Sequence, residues 1–196
     1  NPWQAVDAGF LRDSALREEL TADLSKLPDD LLLAFLSGTE VVQTDDVFTF
    51  DNPGELSSDE LFRLFLWWTN RSALEKYRNP DDGWFYFPSS AIHRTLDCYF
   101  RRYSFDITQC AGYDTKSGTV VDQTAALEPG NLRLQRVSKT MDRHKVTYVV
   151  DFYPVLDDLQ VGPEPFARKE YTFLFYPGDF YIESARYLPL DGAAAQ

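Results

Sequence analysis

Few residues in this chain are equipped for covalent or metal chemistry: Cys98, Cys110, His93 and His144 are its only cysteines and histidines. A cysteine or serine nucleophile needs a base held within hydrogen-bond reach. His93 and Cys98 fall on different faces of the helix expected around them, and His144 follows the turn Thr140-Met141-Asp142-Arg143, where exposure is expected. Residues so scattered do not make a zinc site either. Acidic doublets stand at Asp29-Asp30, Asp45-Asp46, Asp81-Asp82 and Asp157-Asp158, each at a turn or a helix start. Aspartates there bond the local backbone. Calcium takes about 6–8 oxygen ligands in one place, and no D-x-D-x-D-G loop is present; Asp81-Asp82-Gly83 and Asp157-Asp158 are the nearest approach to a seat. No catalytic residue, metal ligand or cofactor is assigned.

Aromatic residues make up 15% of the chain, and flat rings with polar tips suit sugar faces and protein partners as well as cores. Strand alternation sets Tyr153 and Tyr176 off the faces of Val150 and Phe173, so these two are the candidate surface rings. Asp157 and Asp158 join them as candidate binding residues, on a connection, Val155–Phe166, long enough to be a functional rim. An acid–base reading has one pair to offer, Asp151 and Tyr153, on a strand face opposite Val150 and Phe152.

The elements that must position these residues begin with a helix carrying Leu16, Leu20, Leu24 and Leu27 at near-heptad spacing, ended by Pro28. Asp29 and Asp30 lead a second helix that Gly38 can stop. Residues 40–50 suggest a small hairpin or an irregular strand, and Asn52-Pro53-Gly54 breaks it. Ser57 and Glu60 then fit a capping box, with Leu56 and Leu61 as its hydrophobic staple. The helix that follows is apolar nearly all the way round, as a helix buried on several sides would be.

From Trp84 to Phe105 the pattern predicts a short aromatic strand passing through Pro88 into a helix that starts near residue 89. Its apolar stripe is Ile92, Leu96, Tyr99, Phe100 and Tyr103. Cys98 falls opposite that stripe and something must cover it. The chain can fold back from Cys110, so a Cys98–Cys110 disulfide is one expectation and two unlinked buried thiols the other. Beyond lie a hairpin around Lys116-Ser117-Gly118 and four longer strands, roughly Leu132–Lys139, His144–Tyr153, Ala167–Tyr176 and Phe180–Leu188.

Helices followed by an antiparallel meander make an α+β fold, with a cystatin-like or nuclear-transport-factor-like roll as the expected architecture and a flat helix-on-sheet sandwich as the alternative. The expected organisation is a helical extension over 1–55 packed on an α+β domain over 56–191, with a frayed tail at 192–196. At 196 residues and 44% hydrophobic content the chain can bury a sizeable core. Its formal charge of −12 argues against nucleic acid, whose phosphates call for clustered Lys and Arg. No window approaches the ~20 apolar residues of a membrane-spanning helix.

The run Trp84-Phe85-Tyr86-Phe87-Pro88, then Ile92, Leu96, Tyr99-Phe100, Tyr113-Asp114, a turn at Gly118 and two hairpins ending in Tyr181 and Tyr187, resembles a domain of secreted proteins and lipoproteins of gut Firmicutes. Some of those are similar to the autolysin-inhibitor (IseA-like) group. The resemblance spans residues 84–188 and implies an extracytoplasmic protein, with a protein or cell-wall component as partner and a wall hydrolase among the candidates. It carries over no binding residue. A chain that opens on Asn1, with Met141 its only methionine, agrees with removal of a signal or anchor segment or with trimming. Three functions are therefore expected in competition: a non-catalytic interaction domain of the cell envelope, an aromatic-lined binder of saccharide or a small apolar ligand, and a small roll-fold enzyme using Asp151 and Tyr153.

Overall fold

The computed structural model describes residues 49–69, 71–126, 132–156, 160–176 and 179–190, with 18, 22, 29, 30, 32, 33 and 36. Helix α1 is Ser58–Trp68, α2 is Arg71–Leu74 and α3 is Ser89–Leu96. Strands β1 (Phe85–Phe87), β2 (Tyr113–Asp114) and β3 (Thr119–Asp122) form a small antiparallel sheet in the order β1-β3-β2. Strands β4 (Leu132–Asp142), β5 (Lys145–Pro154), β6 (Ala167–Tyr176) and β7 (Asp179–Leu188) form a four-stranded antiparallel meander in chain order. The fold is α+β.

The start of α1 follows from local chemistry. Ser57 Oγ accepts from Glu60 N at 3.2 Å, while Glu60 Oε2 accepts from Ser57 N at 2.7 Å, so two amides that the helix cannot satisfy are bonded reciprocally. Leu56 and Leu61, at the two staple positions, are both buried. The body of α1 buries Phe62, Leu64, Phe65, Leu66 and Trp68, as its all-round apolar composition predicts.

The aromatic strand and its helix occur where expected, with one difference. Helix α3 ends at Leu96, so Tyr99 and Phe100 lie in the turn after it, although they are buried as the stripe requires. That turn has its own work. Tyr99 and Phe100 pack on Trp68 at 4.5 and 5.2 Å between ring centroids, and Tyr99 O accepts from Ile182 N of β7 at 2.8 Å. Phe50 pairs with Ala185 through two backbone bonds, also on β7. Two segments thus occupy the edge of β7, which would otherwise be open to pairing with another chain. At the α3 N-terminus Pro88 is the capping residue and no side chain bonds there.

One core joins both sheets. Val146, Tyr148, Val150 and Phe152 of β5 and Tyr171, Phe173 and Phe175 of β6 are all buried, because alternate residues of a strand share a face. They meet Phe180, Ile182 and Ala185 of β7 in a cluster that also contains Phe62, Phe65, Phe85 and Phe87. Leu32 and Leu36 belong to the same cluster, and Tyr148 Oη donates to Asp29 Oδ1 at 2.9 Å. The stripe Leu16, Leu20, Leu24 and Leu27, Val41 to Phe48, the loop 127–131, Pro177 and Gly178, and the tail 192–196 lie outside the described residues. No helix of the described residues is long and apolar enough to cross a membrane.

Candidate functional site

The two surface tyrosines are brought to opposite ends of the meander. Tyr153 closes β5 and Tyr176 closes β6, and in the antiparallel register Tyr176 lies beyond Lys145 at the start of β5. At ~3.3 Å per residue the ends of β5 are roughly 30 Å apart, so the tyrosines cannot share a ligand of ordinary size. Asp157 and Asp158 lie outside the described residues.

At the Tyr153 end, the connection after β5 is held as a strap. Val155 bridges Val161, Leu156 N donates to Gln160 O at 2.8 Å, and Gly162 N donates to Pro154 O at 2.9 Å. Gly162 is required by this close approach, since a Cβ there would stand 2.8 Å from Pro154 Cγ. Phe166 N closes the strap on Phe152 O. The result is a rim of apolar side chains left in solvent: Leu156 is 48%, Val161 39%, Phe166 54% and Tyr187 46% exposed. Beneath it the base is rigid. The Phe166 ring rests on buried Phe152 at 6.4 Å, and Lys169, 3% exposed, sets its ammonium 5.8 Å from the Phe152 ring and 4.7 Å from that of Tyr187. Cation–π contacts of a desolvated ammonium are worth about 2 kcal/mol.

The acid–base pair is not one. Asp151 is 6% exposed, and both its oxygens are taken by Arg168, from Nε at 2.6 Å and Nη2 at 3.0 Å. Although Asp151 lies opposite Val150 and Phe152, it is not left to solvent, because the neighbouring strand places Arg168 directly across from it. A carboxylate with both oxygens held in a bidentate fork is spent on structure.

The cysteines are unbonded, which corrects the disulfide expectation in favour of two separate thiols. Cys98 Sγ donates to Arg94 O at 3.3 Å, one turn back along α3. Cys110 instead packs on the start of α1, with Sγ donating to Ser58 O at 3.6 Å. Its thiol is pushed up to about 11 by burial, with Asp59 and Asp106 adding to the effect, so it is held as an inert thiol.

Sequence spacing missed a relay on α3. Tyr103 Oη donates to Asp97 Oδ1 at 2.7 Å and stands 2.6 Å from His93 Nδ1. A phenol has one proton, here given to Asp97, so His93 Nδ1 must be the donor and its Nε2 the free lone pair. Burial first, then the Asp97 hydrogen bond, holds the Tyr103 phenol well above its ordinary range. The relay ties the chain after α3 to the helix, with His93 further packed edge-on by Phe105.

The tempting acidic seat at residues 79–83 is likewise internally satisfied. Asp82 accepts from Trp84 N at 2.9 Å and Tyr86 Oη at 2.7 Å, and Asn79 Oδ1 accepts from Asp81 N. No group of three or more His, Cys, Asp or Glu among the described residues could hold a metal ion. At the far end of the sheet Tyr176 does not offer a bare ring: His144 stacks on it at 4.9 Å and the Arg101 guanidinium lies over it at 5.6 Å.

No family model, no curated protein and no solved structure matches this chain.

Proposed function

We propose that the chain is a non-catalytic, extracytoplasmic interaction domain whose partner is a protein of the cell envelope, engaged through the rim formed by Leu156, Val161, Phe166 and Tyr187. The observation that carries this reading is the exposure of those four side chains on one end of the sheet, above a base immobilised by Phe152 and Lys169. Several exposed apolar side chains gathered at one end of a sheet are a candidate binding face, where a lone one would not be. Rigid aromatic anchors lose little conformational entropy on binding, which is why they recur as the residues that dominate interfaces. The capture of Asp151 by Arg168, and the bonding of both thiols to backbone carbonyls, support the non-catalytic part. The resemblance of residues 84–188 to the autolysin-inhibitor group makes a wall hydrolase the first partner to try, and the formal charge of −12 argues against nucleic acid.

The test is binding of purified, intact chain to envelope proteins and to wall hydrolases, comparing the native sequence with Phe166→Ala and Leu156→Asp. Hot-spot truncations typically cost 2 kcal/mol or more, about thirtyfold in affinity. Partners that bind all three proteins equally well would remove the rim from the account, and the absence of any envelope partner would remove the function.

A further inference from the structure

The other end of the meander carries a feature that the rim does not use. Two basic runs far apart in sequence, Arg101-Arg102 and Arg143-His144-Lys145, each send one member, Arg101 and His144, to the Tyr176 ring. Phe175 N donates to His144 O at 2.6 Å, which clamps the β4–β5 turn against the end of β6. The His144 ring then stacks on Tyr176 at an interplanar angle of 27°. From the segment after α3, Arg101 reaches the same ring and points Nη1 to Tyr176 Oη at 3.4 Å. Arg101, Arg102, Arg143 and His144 are exposed. Lys145 is taken by Glu183 at 2.9 Å, but among the described residues neither Arg102 nor Arg143 forms an ion pair.

We propose that this end is a binding site for a small phosphate-bearing ligand, with Arg101 and Arg143 as the anion-holding groups and the Tyr176–His144 stack as the surface beside it. Guanidinium groups present a planar fork of donors that fits tetrahedral and carboxylate oxyanions bidentately. The chain as a whole carries −12, so a long polyanion would be repelled away from this end, while a small anion would not. Screening over about 8 Å at physiological ionic strength confines what it feels to the local cations.

A second observation sets Arg143 apart. It lies at φ 52°, in the two-residue link between the paired residues Asp142 and Lys145. Such links favour Asn or Gly, and an arginine there holds a left-handed backbone at a cost. Its long cationic side chain gains nothing in return from the described protein atoms. An arginine that holds a strained backbone next in the chain to His144, whose ring stacks on the Tyr176 that Arg101 also reaches, is what a ligand contact would require.

The experiment is titration of the full chain with phenyl phosphate and with inorganic phosphate at low ionic strength, following the ring signals of His144 and Tyr176. Saturable shifts of both rings are expected, with affinity lowered about tenfold in Arg101→Ala and in Arg143→Gly, the scale of losing one charged hydrogen bond. Arg143→Gly should keep a melting temperature no lower than the native chain, because glycine relieves the positive φ. Absence of saturable shifts, or native affinity retained in either variant, would overturn the site. A stronger response to a glutamate-rich peptide than to phenyl phosphate would overturn the ligand class.

Discussion

At the scale of single residues, the chemistry in this chain is largely bound up in holding it together. His93 illustrates the point. Its proton position is dictated two bonds away by Asp97, through the Tyr103 phenol. Neutral histidine should therefore carry its proton on Nδ1, and nitrogen NMR of His93 should show that tautomer; a proton on Nε2 would refute the relay, and Tyr103→Phe should release the preference. The raised Tyr103 and Tyr148 phenols add a pH dependence of definite sign. A group whose folded pKa lies above its unfolded one favours the folded chain while protonated in both states. Their contribution is thus complete below the unfolded value of ~10 and lost as pH rises above it. Alkaline denaturation should begin at lower pH for the native chain than for Tyr103→Phe, once each is normalised to its own stability at neutral pH. The thiols give a simpler check: two free thiols should titrate in denatured, unreduced protein, with Cys110 resisting alkylation while folded. Sequence position told that Cys98 lies off the apolar stripe, but not that the Arg94 carbonyl takes its proton, because that acceptor is a backbone group with no signature of its own.

At the scale of elements, what could be read in advance was whatever local physics decides alone. The four strands of the meander fall within a few residues of where alternation put them, and α1 starts at the capping box that Ser57 and Glu60 announce. Removing that cap with Ser57→Ala should cost about 1 kcal/mol, measured by denaturant unfolding. The end of α3 was misread because Tyr99 and Phe100 keep helical spacing while serving a turn, and burial looks the same in both. Contacts between elements were out of reach. Arg168 and Asp151 are 17 residues apart and meet through strand register, which no local pattern specifies. Arg168→Ala would strand a buried carboxylate, and a loss of roughly 3 kcal/mol is expected. If that substitution proves neutral, the fork is not the structural lock described above. The tyrosines chosen for exposure, Tyr153 and Tyr176, are both part-exposed, yet only the register shows that they belong to opposite ends.

At the scale of the whole molecule, the meander separates two surfaces of different character. One end is an apolar rim on a fixed aromatic base, the other a stacked tyrosine among cations, and the core between them joins both sheets through the helices. The edge of β7 is occupied by Phe50 and Tyr99, so binding at the rim leaves that edge covered. The rim was legible in the sequence as a long connection, Val155–Phe166, but its apolar exposure depends on how the strap folds. The most direct test of the central claim is side-by-side crosslinking capture from intact envelope with the native chain and Phe166→Ala, both shown to melt alike. An envelope protein recovered by the native chain and strongly depleted with the variant is the expected result. Equal recovery by the two, or none by either, would contradict it.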